Sequence, residues 1–133
     1  MNKNWEVKKL GEICKIITKG TTPTTMGFEY ISNGINFLKV ESIDTNNQII
    51  TEKIAYISIE CHNSLKRSQL LENDIVFSIA GALGRVAIIS KRILPANTNQ
   101  ALAIIRLADV KQTLPAYIAI ILKSKLVSDQ IIR

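Results

Sequence analysis

Ile75-Val76-Phe77-Ser78-Ile79-Ala80-Gly81-Ala82-Leu83-Gly84-Arg85-Val86-Ala87-Ile88-Ile89-Ser90 holds two short runs rich in branched aliphatic residues, joined by a link with a glycine at each end. Branched side chains are stiff and pack well on a pleated surface, so such runs favour extended chain. Their length is that of strands rather than helices. The stretch predicts a hairpin: a strand over Ile75–Ala80, a turn through Gly81 and Gly84, and a strand over Arg85–Ser90. The glycines permit a positive φ or a close backbone approach in the turn.

Working outward from the hairpin, Lys91–Gln100 is a polar stretch with Pro95 that predicts a loop, and Ala101–Leu107 (ALAIIRL) predicts a buried strand. Pro115–Ile132 predicts the one long helix, with proline in its first turn and Ile118, Ile121, Leu122 and Leu126 at helical spacing. Upstream, Glu72-Asn73-Asp74 is a tight turn, and Cys61–Leu71 predicts a short helix carrying Lys66 and Arg67. Ile49–Ile59 and Ile35–Ile43 read as strands around the polar turn Asp44–Gln48, and Asn33-Gly34 is a hairpin signal. Glu12–Thr18 is a further strand. Lys19–Gly27, with two glycines, a proline and four threonines, is a loop. Many short strands followed by a terminal helix predict an α+β fold of short, twisted, largely antiparallel strands with a C-terminal α-helix.

At 133 residues the chain has the length of one domain. Hydrophobic residues make up 47% and charged residues 21%, an ordinary globular balance. Isoleucine alone accounts for 23 positions, which again favours strands. No apolar run is long enough to span a membrane, and the polar start Met1-Asn2-Lys3-Asn4-Trp5 does not resemble a secretory signal. Cys14 and Cys61 make no disulfide framework, so a cytoplasmic protein with reduced thiols is expected. The net charge of +6 is uneven. Residues 1–66 carry 8 lysines against 7 acids, and residues 67–133 carry 9 basic residues, including all five arginines, against 4 acids. That bias suggests a polyanionic partner.

Enzyme motifs are missing: there is no phosphate-binding Walker loop, no dinucleotide fingerprint and no HExxH. His62 is the single histidine, and next to Cys61 on an extended segment it would point to the opposite face, so it is expected to be an ordinary surface residue. The two cysteines lack metal-ligand spacing. Glu72 with Asp74, and Glu41 with Asp44, border turns and are accounted for by turn formation. The Gly81–Gly84 pattern also occurs where a KH fold clamps a nucleic-acid backbone, but there it joins two helices. The polar loops carry the more useful chemistry. Lys19–Thr25 offers a cation, hydroxyls and backbone N–H groups, which suit phosphates. Asn97-Thr98-Asn99-Gln100, beside Lys91 and Arg92, offers carboxamides that can pair with adenine. Solvated connection and capping account for Lys19–Thr25 equally well, and account better for Asn97–Gln100, because Gln100 adjoins a buried strand and can satisfy backbone groups there.

Several pieces recur together in order: Trp5-x4-Leu10-Gly11-Glu12, Gly20-Thr21-Thr22-Pro23, Ile35-x-Phe37-Leu38-Lys39-Val40, Leu71-Glu72-Asn73-Asp74-Ile75-Val76-Phe77-Ser78, Gly81-Ala82-Leu83-Gly84, Asn99-Gln100-Ala101-Leu102 and Tyr117-Ile118-x4-Lys123-Ser124. The set covers nearly the whole chain and resembles the target recognition domain of the DNA specificity subunit of type I restriction-modification systems. The resemblance implies a non-catalytic component that reads one half of a split site in double-stranded DNA. It implies methyltransferase subunits as partners, with S-adenosylmethionine bound on them and no cofactor or metal on this chain, and nuclease–translocase subunits beyond them. It implies architectural roles for Trp5, Leu10, Gly11, Asp74, Gly81, Gly84 and Gln100.

Contacts to DNA are then expected in the loops. By residue chemistry Lys19, Arg85, Lys91 and Arg92 would meet phosphates or guanine, Thr21, Thr22 and Thr24 would meet phosphates, and Asn97 would read a base edge. Lys39 follows a strand and is expected on the exposed face. A complete subunit of this family has two recognition domains and long spacer helices, whereas by this resemblance residues 1–133 correspond to a single recognition domain, with Tyr117–Ile132 matching the helix that precedes the family's last short strand. A fragment working through protein interaction or homodimerisation, with its apolar terminal helix as the contact, is the alternative.

Overall fold

Residues 14–111 and 114–123 are described by a computed structural model. Within them β1 is Cys14–Lys19, β2 Ile35–Leu38, β3 Ala55–Ile57, β4 Ile75–Ser78, β5 Val86–Ile88, β6 Ala96–Thr98 and β7 Leu102–Leu107, with helices α1 at Ile59–Ser64 and α2 at Pro115–Lys123. Single 3-10 turns fill the links at Pro23–Met26, Val40–Ser42, Thr51–Lys53, Lys66–Ser68 and Lys91–Ile93. Trp5, Leu10, Gly11 and the predicted helix beyond Lys123 lie outside the described residues.

The strands form two sheets. The first has the order β1-β7-β4-β5 and is antiparallel throughout. The second has the order β3-β2-β6, antiparallel between β2 and β3 and parallel between β2 and β6. Alternation along each strand decides what packs where. Val76, Ala87, Leu102 and Ile104 on one face of the first sheet meet Leu38 and Ala96 of the second, together with Val40, Ile43, Ile54 and Leu70. The other face of the first sheet, with Ile75, Val86, Ile105 and Leu107, takes Ile118, Ala119 and Leu122 of α2. Phe37 and Ile57 on the outer face of the second sheet take Cys61 and Leu65 from α1 and its C-terminal cap. The result is two sheets back to back with one helix on each outer face, the α+β arrangement expected from the strand runs.

Several local expectations hold in outline and shift in detail. The 75–90 hairpin forms, with Gly81 at φ 73° and Gly84 at φ 83° in its turn. The helix near Cys61 begins earlier because Ser58 caps it, its hydroxyl accepting from Cys61 N–H at 3.1 Å. Asn33-Gly34 does not close a hairpin. Gly34 has no positive φ, β2 takes β3 as its antiparallel partner, and Ile31 bridges Tyr56 instead. Gly34 is needed for closeness: a Cβ there would lie 2.5 Å from the Ile57 carbonyl oxygen. The stretch 91–100 is no simple loop. It carries a 3-10 turn and β6, whose inward residues are held by hydrogen bonds rather than by an apolar run.

Candidate nucleic-acid interface

Strand order gathers a set of loops at one end of the molecule. β1 ends at Lys19, opposite Ala103 near the start of β7. β4 ends at Ser78 opposite Leu102, and Ile79 N–H donates to Ala101 O at 2.9 Å. In the second sheet Leu38 and Thr98 are register partners at the ends of parallel strands, so Lys39 and Asn99 leave the sheet together. The two sheets meet at this end through Gly20, whose N–H donates to Asn99 O at 3.2 Å. A Cβ on Gly20 would sit 1.9 Å from Thr98 O, so only glycine allows the approach. Residues 20–27, 39–42, 80–84 and 99–101 therefore share one loop-bearing end.

The threonine-rich loop is held in one shape. Thr25 N–H and Oγ1 both donate to Thr22 O, at 3.1 and 2.6 Å, and Phe28 N–H donates to Pro23 O at 3.0 Å. Gly27 ends the 3-10 turn with φ 84°. Thr22 Oγ1 bonds the Gln100 side chain, tying this loop to the one before β7. Arg67 Nη2 donates to Thr21 Oγ1 at 3.3 Å. Thr24 and Lys19 are exposed. The Lys39 ammonium lies 4.3 Å from the centre of the Tyr30 ring, a cation–π contact that orders the cation without neutralising it. Burial pushes the Tyr30 hydroxyl pKa up, and Cys61 and Glu41 add to that. Lys19, Thr21, Thr22, Thr24 and Lys39 are thus brought to one end, with Arg67, Tyr30 and Gln100 beside them. Arg67 and Tyr30 were missed as site residues because nothing local to 66–68 or to 30 marks them: strand pairing between β2 and β6 and the path of β1 bring them there.

Two residues expected to meet DNA are turned inward. Asn97 does not read a base edge, because it is fully buried in β6. Its Oδ1 accepts from Ser68 Oγ at 2.5 Å and Thr98 N–H at 2.9 Å, while Nδ2 donates to Leu65 O at 3.0 Å and His62 Nδ1 at 3.2 Å. A carboxamide so fully used has nothing left for a ligand. Arg85 is half-buried and turned inward, its Nη1 donating to Ile43 O at 2.7 Å and Val40 O at 3.4 Å. Through that nitrogen it fastens the 40–43 turn that follows Lys39. His62 is likewise no surface residue. It is buried on α1, and desolvation lowers its pKa.

Lys91 and Arg92 are exposed but lie at the other end of β5, where Ile89 N–H donates to Asp74 O. Arg92 lines a cleft of about 450 Å³ between Asn46–Gln48, β5 and the Ala116–Ile120 face of α2. They do not join the loop-end group. Among the described residues no set of three or more His, Cys, Asp or Glu is placed to hold a metal, and no helix is long and apolar enough to cross a membrane.

Comparison with known proteins gives these features a context. Residues 2–132 match the family described as the type I restriction modification DNA specificity domain. The specificity subunit of the type I restriction enzyme EcoBI from Escherichia coli is 33% identical over 95 residues, which cover 71% of this chain and 19% of that protein. Two solved structures share the fold. One, described for complex assembly and conformational transition of the type I R-M system, superposes with a TM-score of 0.64 at 17% identity over 93% of this chain and 30% of its own. The other, the HsdS subunit from Thermoanaerobacter tengcongensis, gives 0.63 at 16% identity over 95% and 28%. The chain therefore spans 19–30% of the length of these relatives. With its match running almost end to end and the sandwich of sheets in place, the chain belongs to the type I restriction modification DNA specificity domain family.

Proposed function

We propose that this chain is a target recognition domain that binds double-stranded DNA through its loop-bearing end and reads one half of a bipartite site. The observation that carries the proposal is the convergence there of Lys19, Lys39 and Arg67 with the ordered hydroxyls of Thr21, Thr22 and Thr24. Among the described residues none of these cations is in an ion pair. Cations and hydroxyls suit phosphates, and the Gln100 and Asn99 carboxamides beside them suit base edges. In this proposal the chain directs methyltransferase subunits, which carry S-adenosylmethionine, and nuclease–translocase subunits to the DNA. The structure described for assembly of the type I R-M system, and the match to a restriction-enzyme specificity subunit, support that placement.

Selection from a random duplex library by the chain, alone and assembled with methyltransferase subunits, tests it. A recovered half-site is expected, with affinity falling as salt rises by about 0.9 in log K per log salt for each phosphate neutralised. Recovery of no preferred sequence, or binding indifferent to salt, overturns it.

A further inference from the structure

Arg67 is less used than Arg106 and Arg85. Arg106 is paired with Asp74, and Arg85 is spent on main-chain carbonyls. Arg67 is exposed, belongs to no ion pair among the described residues, and donates one bond, to Thr21 Oγ1. That bond aims the guanidinium towards the loop end and leaves the rest of its planar fork for an anion with oxygens spaced to match. Arg67 also shares an open groove with Lys19. The groove is walled by Ile17, Phe77, Ile79 and Ala103, and no carboxylate lines it. Two cations in one groove with no acid repel each other, and an anion lodged with them removes that repulsion.

The turn that carries Arg67 is held from below. Lys66–Ser68 is a single 3-10 turn with exposed cations, and its one buried residue, Ser68, is polar. Asn97 supplies the anchor, taking Ser68 Oγ at one end of the turn and the Leu65 carbonyl at the other. His62 closes the network on Asn97 from α1. The anchor is buried and the guanidinium is exposed, so the network sets the position of a charge that it does not touch.

We propose that Arg67 and Lys19 together grip one phosphate of the DNA backbone, and that Thr21 and Asn97 are positioning residues for Arg67. The inference rests on the DNA-binding function proposed above and adds to it which groups hold the backbone and what aims them.

The test is titration of the selected duplex at several salt concentrations with the chain assembled as above. Arg67→Ala is expected to weaken binding about tenfold and to lower the salt slope, the full drop of about 0.9 appearing when Lys19 is replaced by alanine as well. Arg67→Lys is expected to keep the slope while losing part of the affinity. Thr21→Val removes the aiming hydroxyl without touching the core. It is expected to weaken binding in the native background and to have a smaller effect once Arg67 is alanine. Asn97→Leu is expected to show the same dependence on Arg67, and Thr21→Val carries the test if Asn97→Leu does not fold. An Arg67→Ala chain with native affinity and slope overturns this inference while the DNA-binding proposal stands. A Thr21→Val effect of equal size with and without Arg67 removes the positioning role. Failure of the native chain to bind duplex overturns both proposals.

Discussion

Asp74 shows how much one residue of the turn before β4 does. Its side chain is fully buried. It accepts from Arg106 Nε and Nη2 at 2.8 Å each and from Leu71 N–H at 2.7 Å. Those bonds push the Arg106 guanidinium pKa up. Asp74→Ala would leave that part-buried cation without its carboxylate partner and the Leu71 N–H without an acceptor, so a loss of about 3 kcal/mol in urea unfolding is expected, against less than about 0.5 for the exposed neighbour Glu72→Ala. His62 makes stability depend on pH. Desolvation holds its folded-state pKa below the usual imidazole value of about 6.5, so the unfolded chain takes up the proton first as pH falls. Its contribution is complete above that value and is lost as pH drops towards the folded-state pKa. Unfolding followed between pH 7.5 and 5, each about a fixed buffer point, should show a steeper loss for the native chain than for His62→Gln. At this scale the sequence spoke unevenly. Asp74 beside a tight turn was legible as structural, because a short carboxylate before a strand has few other uses. Asn97 and His62 were not, because an asparagine between Ala96 and Thr98 looks the same in a solvated loop as in a strand satisfied by residues 29 and 35 positions away.

Among elements, those built on branched aliphatic runs were legible, and those built on distant partners were not. β4, β5 and β7 carry their own evidence, since each is apolar enough to be buried wherever it goes. β3 is three residues long and β6 is three, and both exist because β2 lies between them. The parallel pairing of β2 with β6 joins residues some sixty positions apart, and no local pattern announces such a contact. Gly20 is the point where this arrangement is most exposed to change. Gly20→Ala would drive a methyl group into the Thr98 carbonyl, so a loss of about 3 kcal/mol is expected, with affinity for duplex falling alongside as the threonine loop shifts. α2 makes a contrasting case. Leu122 is buried against the first sheet, and Leu122→Ala is expected to cost about 2–5 kcal/mol in unfolding while duplex affinity at a temperature well below the midpoint stays within about twofold. Unfolding and binding curves measured on the same preparations separate the two elements.

For the whole molecule, the distribution of charge matters more than its sum. The +6 of the sequence includes cations that the fold sends to opposite ends: Lys19, Lys39 and Arg67 to the loop end, Lys91 and Arg92 to the other. Lys39→Glu is expected to weaken duplex binding about tenfold, whereas Lys91→Glu and Arg92→Glu are expected to change it by less than about threefold, a pattern that competition titration reads directly. Basic bias alone pointed to a polyanion and could not say which cations would share a face, because charge is counted along the chain and faces are made by pairing. The same pairing has one more consequence. β1, the first described strand, lies beside β7, the last, and Cys14 stands in register with Leu107. The strands of the sandwich thus begin and end side by side on one sheet, and the chain that follows β7 turns back as α2 to cover that sheet's outer face, so one edge strand and one covering helix hold the two extremes of the described chain on the same sheet.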